Sequence, residues 1–306
     1  MSNMDINIKV FLFLFFVSFA RSQDSTPKVF YSFKSDLNYQ KTLNNLKTSY
    51  NKTKDKKLID SIAQLSFTHK DWENSIKFLQ MSLKIKPNSK NFFLLGAASG
   101  FRSLEVSIFS STKYIKIMKR AFQQAVNLEP KNILFLIAQV DVLVSIPSIF
   151  GGSIQEAKNY INRIKELNPI EGLVAEGLFY EKTNDIEEAA KTYNKLFHNL
   201  LSTFNGCSDS FLDYLKRNRR NLAYDIGRIA SDYQLEPELG ICALSFYEER
   251  HILRDSIPLP WVYYHIAKLE KIQGDISRMK IFISKVKPYE NDYPSISNLI
   301  NGLIQQ

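Results

Sequence analysis

The chain has 306 residues, 44% hydrophobic and 23% charged, with 11 Gly, 10 Pro and 2 Cys. That supplies enough apolar side chain for a sizeable core and too little Gly and Pro for a disordered or fibrous protein. The formal charge of +9 is uneven: residues 23–90 hold 13 Lys and Arg against 6 Asp and Glu, whereas 201–306 hold 13 of each.

Residues 10–20 read VFLFLFFVSFA after Lys9. A membrane-spanning helix needs about twenty such positions, so this run is too short to span. With small residues at Ser18, Ala20 and Ser22, residues 1–22 are expected to be a signal peptide cleaved after Ala20 or Ser22. The chain is then exported, to a periplasm or outside the cell. No Cys stands near the cleavage point, against a bacterial lipoprotein. Residues 23–56 are expected to form a partly helical N-terminal cap. Within it the densest basic run, Lys47 to Lys57, lacks the extended stripe of cations and aromatics of a nucleic-acid binder, and no nucleic-acid partner is expected.

From about residue 57 apolar residues recur at helical spacing, as at Ile76, Leu79 and Leu83, and no long stretch alternates with period two. The fold class is all-α. KDWENSIKFLQMSLKIKP, ending at Pro87, is echoed by MKRAFQQAVNLEP, ending at Pro130, and by GGSIQEAKNYINRIKELNP, ending at Pro169. A fourth copy spans 171–197 and carries Leu173, Gly177, Tyr180, Ala189 and Tyr193. In the first copy Ala63, Trp72, Ser75 and Pro87 correspond, with Ser66 in place of an aromatic. Over residues 57–290 this pattern resembles the tetratricopeptide repeat (TPR), a helix-turn-helix unit of about 34 residues. Small residues are needed where helix A touches helix B, and Pro ends helix B because it lacks an amide hydrogen.

The resemblance implies a right-handed α-solenoid of about six TPR-like helix pairs. In the central pairs, aligning Gly96 and Pro130 with the repeat leaves about ten residues over, which predicts elongated helices at 91–105 and 107–127. The run ILFLIAQVDVLVSIPSIF at 133–150 is strongly apolar, but Gln139, Asp141 and Pro147 point to a buried helix A, and no integral membrane span is expected. In IPSIFGGS, Gly151 and Gly152 permit a tight approach to the next helix, which Ser153 and Glu156 would start as a capping box. Further on, Gly227 and Ala230 mark a degenerate helix A partnered by 241–250, and Ala267 marks another that turns at Gly274–Asp275. Residues 291–306 would be a capping helix.

Catalytic patterns are absent from the sequence. The four His are scattered without metal-ligand spacing, no Gly-x-Ser-x-Gly occurs, and Gly151–Gly152 is not a phosphate loop. No enzyme activity, cofactor or metal is expected. Two cysteines, Cys207 and Cys242, are too few for a disulfide framework or a zinc site, so the fold is expected to rest on packing; an exported chain leaves the pair open to a disulfide or to two buried thiols.

The TPR resemblance implies a concave groove lined by helix-A side chains. In successive pairs these are Asp60 and Gln64, Phe93 and Ala97, Phe135 and Gln139, Val174 and Leu178, Tyr224 and Arg228, and Tyr264 and Lys268. Phe93, Phe135, Gln139, Tyr224, Arg228, Tyr264 and Lys268 are the candidate contacts, suited to a protein or peptide partner or to a small apolar or acidic ligand. For the apolar members, burial in the core is the competing role. The expected function is an exported, non-enzymatic scaffold that binds a protein or peptide in this groove. IPSIFGGS and YDIGRIA in an exported repeat chain also resemble uncharacterised bacterial periplasmic repeat proteins. Residues 146–158 further resemble the T-component of tripartite ATP-independent periplasmic (TRAP) transporters. That second resemblance implies a transport accessory or small-ligand carrier, although the usual lipid-anchor Cys is missing.

Overall fold

A computed structural model describes residues 31–305; the expected signal peptide and residues 23–30 of the cap lie outside them. The described residues form fifteen α-helices, two short 3-10 turns and no strand. They divide into two compact units, the first ending at Tyr160 and the second beginning at Ile161.

The first unit opens with α1 (Leu37–Thr53), started by the Asp36 carboxylate accepting from the Tyr39 amide and ended by Lys54 in the left-handed region. Its Tyr39 and Leu43 are buried against α2 (Lys57–Thr68). α2 pairs with α3 (Trp72–Ile85), which Asp71 caps through the Asn74 amide. The small residues lie where the repeat pattern puts them: Ala63 is fully buried and its carbonyl accepts from Ser75 Oγ. α4 (Ser89–Glu105) and α5 (Ile108–Leu128) form the elongated central pair, of 17 and 21 residues. Gly96 is required at their crossing, since a Cβ there would stand 2.5 Å from the Phe122 ring.

α6 (Ile133–Ser145) buries Phe135, Leu136, Gln139, Val140 and Val142 to Ser145. No described helix is long and apolar enough to cross a membrane. Beyond α6 the chain makes a 3-10 turn at Ser148–Phe150 and reaches Gly151 at φ 90°. A side chain on Gly152 would collide with the Ile146 carbonyl. Ser153 Oγ accepts from the Glu156 amide, as a cap should, and α7 (Ile154–Leu167) begins. The Ser153 amide donates to Leu143 O at 2.9 Å, so the return half of a capping box is replaced by a tie to α6.

The second unit contains three helix pairs. α8 (Pro169–Lys182) packs on α9 (Ile186–Phe204), α11 (Asn221–Tyr233) on α12 (Pro237–Glu249), and α13 (Leu259–Ile272) on α14 (Ile276–Val286). Gly177 lies under the Tyr193 ring and Gly227 under Leu244, so close that a Cβ at either glycine would overlap its neighbour. These contacts make the first two of these pairs TPR-like in the feature that defines the repeat, a small residue of helix A seated against a large one of helix B.

α10 (Asp209–Arg217) is a finding that the repeat pattern does not predict. Ser208 caps it and Phe211 and Leu215 bury its apolar side. Cys207, just before it, is disulfide-bonded to Cys242 on α12, with Cα atoms 6.0 Å apart. The fold therefore rests on one covalent tie as well as on packing. Arg219, in the turn after α10, donates from Nε to Glu171 at 2.8 Å and from Nη1 to Asp225 at 2.5 Å, pinning α8 to α11. α15 (Pro294–Gln305) lies on α13 and buries Ile296, Ile300 and Leu303.

Candidate functional site

The helix-A residues singled out in the sequence lie where successive A helices meet. In the first unit Asn91 of α4 donates through Nδ2 to Asp60 of α2 at 3.0 Å and to Ser82 Oγ at 2.8 Å, while Ser82 donates to the same carboxylate at 2.6 Å. Gln64 Nε2 adds a long bond to Asn91 Oδ1, 3.4 Å. Phe93 stacks on Phe135 across α4 and α6, with ring centres 5.1 Å apart. Phe135 is buried and Phe93 keeps a partly exposed edge. Gln139 is 1% exposed and donates to Gln123 Oε1 at 3.0 Å, and Gln123 reaches Tyr160. The Gln139 Oε1 has no hydrogen-bond partner among the described residues. This row is a seam between repeats before it is a wall.

In the second unit the row is charged. Arg228 of α11 donates from Nη1 and Nη2 to the two oxygens of Glu181 on α8, both at 3.1 Å, and from Nη1 to Asp232 at 3.2 Å. Asp232 also accepts from Lys268 of α13 at 3.1 Å. Four charges thus alternate across three A helices: Glu181, Arg228, Asp232, Lys268. Burial works against the Arg228 charge, but the two carboxylates outweigh it and hold the guanidinium firmly protonated. Burial likewise pushes Asp232 upward, and His265, Arg228 and Lys268 more than reverse this, leaving it below the usual carboxylate range. The Arg228 side chain is only 6% exposed, against 25% for Lys268 and 34% for Asp232.

Tyr224 is fully buried between the rings of Tyr247 and His265, the core role rather than an open wall. Tyr264, 9% exposed, packs edge-on against His265. His265 sits beneath the ion row with Nδ1 3.0 Å from Ser231 Oγ and 3.9 Å from Asp232 Oδ1. Burial, helped by Arg228 and Lys268 and opposed by Asp232, lowers its pKa to about 4, so the imidazole is neutral near pH 7.

A serine, a histidine and an aspartate therefore meet, but not as a hydrolytic relay. Serine activation needs the hydroxyl on one ring nitrogen and the carboxylate on the other. Here both approach Nδ1, and Ser231 is fully buried. No group of three or more metal-ligating side chains converges among the described residues.

Charge pairing across the A helices of the second unit, and a glycine seated against a large side chain inside three of the helix pairs, are the features to set beside known proteins. No family model matches the chain. No curated protein matches it either. Among solved structures it is similar to a tetratricopeptide repeat protein from Parabacteroides merdae, 9% identical with a TM-score of 0.48, over 97% of this chain and 99% of that one.

Of the seven candidates, the structure joins Phe93 to Phe135, links Gln139 to Gln123, clusters Tyr224 and Tyr264 around His265, and ties Arg228 to Lys268 through Asp232. Glu181, Asp232, Ser231 and His265 were not singled out in the sequence. Asp232 stands one helical turn after Arg228, a spacing that does signal a pair. Glu181 is 47 positions from Arg228 and carries no local signal.

Proposed function

We propose that the protein is an exported, non-enzymatic scaffold that captures a protein or peptide partner on the helix-A face of its second unit. The carrying observation is the row Glu181–Arg228–Asp232–Lys268, in which a buried Arg228 fixes both carboxylates while Asp232 and Lys268 retain exposure. A rigid polar row of alternating sign beside the half-buried Leu178 suits a complementary polypeptide. Export draws support from the Cys207–Cys242 disulfide, because such bonds persist in oxidising compartments. The sealed Ser231 and the shared Nδ1 keep this cluster from serving as a hydrolytic relay.

Arg228 is unsuitable for a functional test: removing one partner of a buried pair costs about 3–5 kcal/mol. Lys268 is suitable. A photo-crosslinking amino acid at 268, introduced in the native host, should trap a partner identifiable by mass spectrometry. With that partner purified, Lys268→Glu should weaken binding at least fivefold, while Lys280→Glu on the exposed side of α14 should leave it unchanged. Equal losses from both substitutions, or no adduct at 268, would remove the helix-A face from consideration.

A further inference from the structure

The first unit holds a feature that the helix-A residues do not share. An open cleft of about 530 Å³ lies among Phe33, Lys34, one side of α1 and the start of α3. That volume is within the range of sites that hold small ligands or peptide side chains. Gln40, Asn44 and Lys47 recur along one stripe of α1 and face Asn74 and Lys77 of α3.

The charges of this cleft are unequally satisfied. Its floor carboxylate, Asp71, is 3% exposed and already accepts from Tyr39 Oη at 2.7 Å, Asn74 Nδ2 at 2.7 Å and the Asn74 amide at 3.2 Å. Glu73 on the rim is turned to Arg102 at 3.4 Å. Neither Lys34 nor Lys77 has a carboxylate within salt-bridge distance among the described residues. Lys47 donates to the neutral amide oxygen of Asn74 at 2.8 Å. Lys47 and Lys77 both lie over the Phe78 ring, 6.0 and 5.7 Å from its centre, so two ammonium groups share one aromatic ring. Burial, together with Lys77, holds Lys47 below the usual lysine range against the pull of Asp71. Residues 31–90 carry 12 Lys against 5 Asp and Glu, so the surrounding field has the same sign.

We propose that this cleft binds an acidic segment of a polypeptide, its carboxylates held between the ammonium groups of Lys34, Lys47 and Lys77. The exposed side-chain amide of Asn44 is placed to meet peptide groups, and the half-buried Phe33 to meet the methylenes of Glu side chains. A flat bilayer would meet the rim rather than the recessed Lys47–Asn74 pair. The site is independent of the helix-A reading and stands or falls separately.

The test uses the full chain and a fluorescein-labelled hexaglutamate, with hexaglutamine, inorganic phosphate and phosphatidylglycerol vesicles as the comparison probes. Fluorescence anisotropy should show hexaglutamate binding that hexaglutamine lacks. The double variant Lys47→Gln/Lys77→Gln should weaken it at least tenfold. Lys84→Gln/Lys90→Gln, which removes the same net charge at exposed positions outside the cleft, should change it less than threefold. Carbodiimide coupling of hexaglutamate to the unmodified protein, mapped by mass spectrometry, should mark Lys34, Lys47 or Lys77, and this readout does not depend on any variant folding. Equal weakening by the two double variants, adducts confined to other lysines, vesicle binding without peptide binding, or phosphate binding as tightly as hexaglutamate would each overturn the assignment.

Discussion

His265 shows how a single residue couples the ion row to acidity. Its folded pKa, about 4, lies below the ordinary value of 6.5. Between these values the unfolded chain binds the extra proton, so stability falls as pH drops from 6.5 toward 4 and this contribution levels off below. For a fully buried group the loss approaches about 3 kcal/mol. Asp232, whose pKa is depressed, adds its own loss only on further acidification, below its ordinary 3.8. Glu171, raised by burial, titrates in the opposite direction. The effect is therefore read as a difference: urea unfolding of wild type and of His265→Gln, which retains a hydrogen-bonding group toward Ser231, should converge in stability as pH falls from 7 to 4.5. Parallel pH profiles would rule out His265 as the source. None of this was legible in the sequence, which placed Tyr224 and Arg228 on the right helix row but said nothing of how near the next A helix comes. That separation turned Tyr224 into core and Arg228 into a pin between two carboxylates.

Individual helices were the most legible level. The expected 91–105 and 107–127 correspond to α4 (Ser89–Glu105) and α5 (Ile108–Leu128), because caps, Pro and the apolar period all act within one helix. α10 escaped because its nine residues fall outside the repeat and its two buried anchors, Phe211 and Leu215, are too few to set a period. The glycines allow a test of the pair contact. Gly177→Ala must force a methyl group into the Tyr193 ring, and overpacking of this kind costs about 1–3 kcal/mol. A methyl group added at Gly302, in α15, would meet nothing within 4 Å, so Gly302→Ala should gain about 0.5–1 kcal/mol from helix propensity alone. Thermal melts of the two variants should shift in opposite directions; a neutral Gly177→Ala would mean that the pair can open without cost.

At the scale of the whole molecule, the charge excess and the covalent tie belong to different units. Lysine-rich residues 31–90 lie in the first, and Cys207–Cys242 lies in the second. The sequence separation of 35 closes a loop that contains α10, α11 and the start of α12. Chain-entropy reasoning assigns such a loop about 4 kcal/mol of stabilisation, through the unfolded state. Cys207 is exposed at the start of the loop, which leaves the bond open to reductant in the native protein. Dithiothreitol, or the double variant Cys207→Ser/Cys242→Ser, should lower the melting temperature of the second unit by on the order of 10 °C. Hydrogen exchange should report the loss chiefly in α10 to α12, since those helices alone lose the tether, while α2 to α4 keep their protection. Uniform loss of protection across both units would show that they unfold as one. No change in α10 to α12 would show that packing of Phe211, Leu215 and Leu244 already fixes this region and that the disulfide adds little to it.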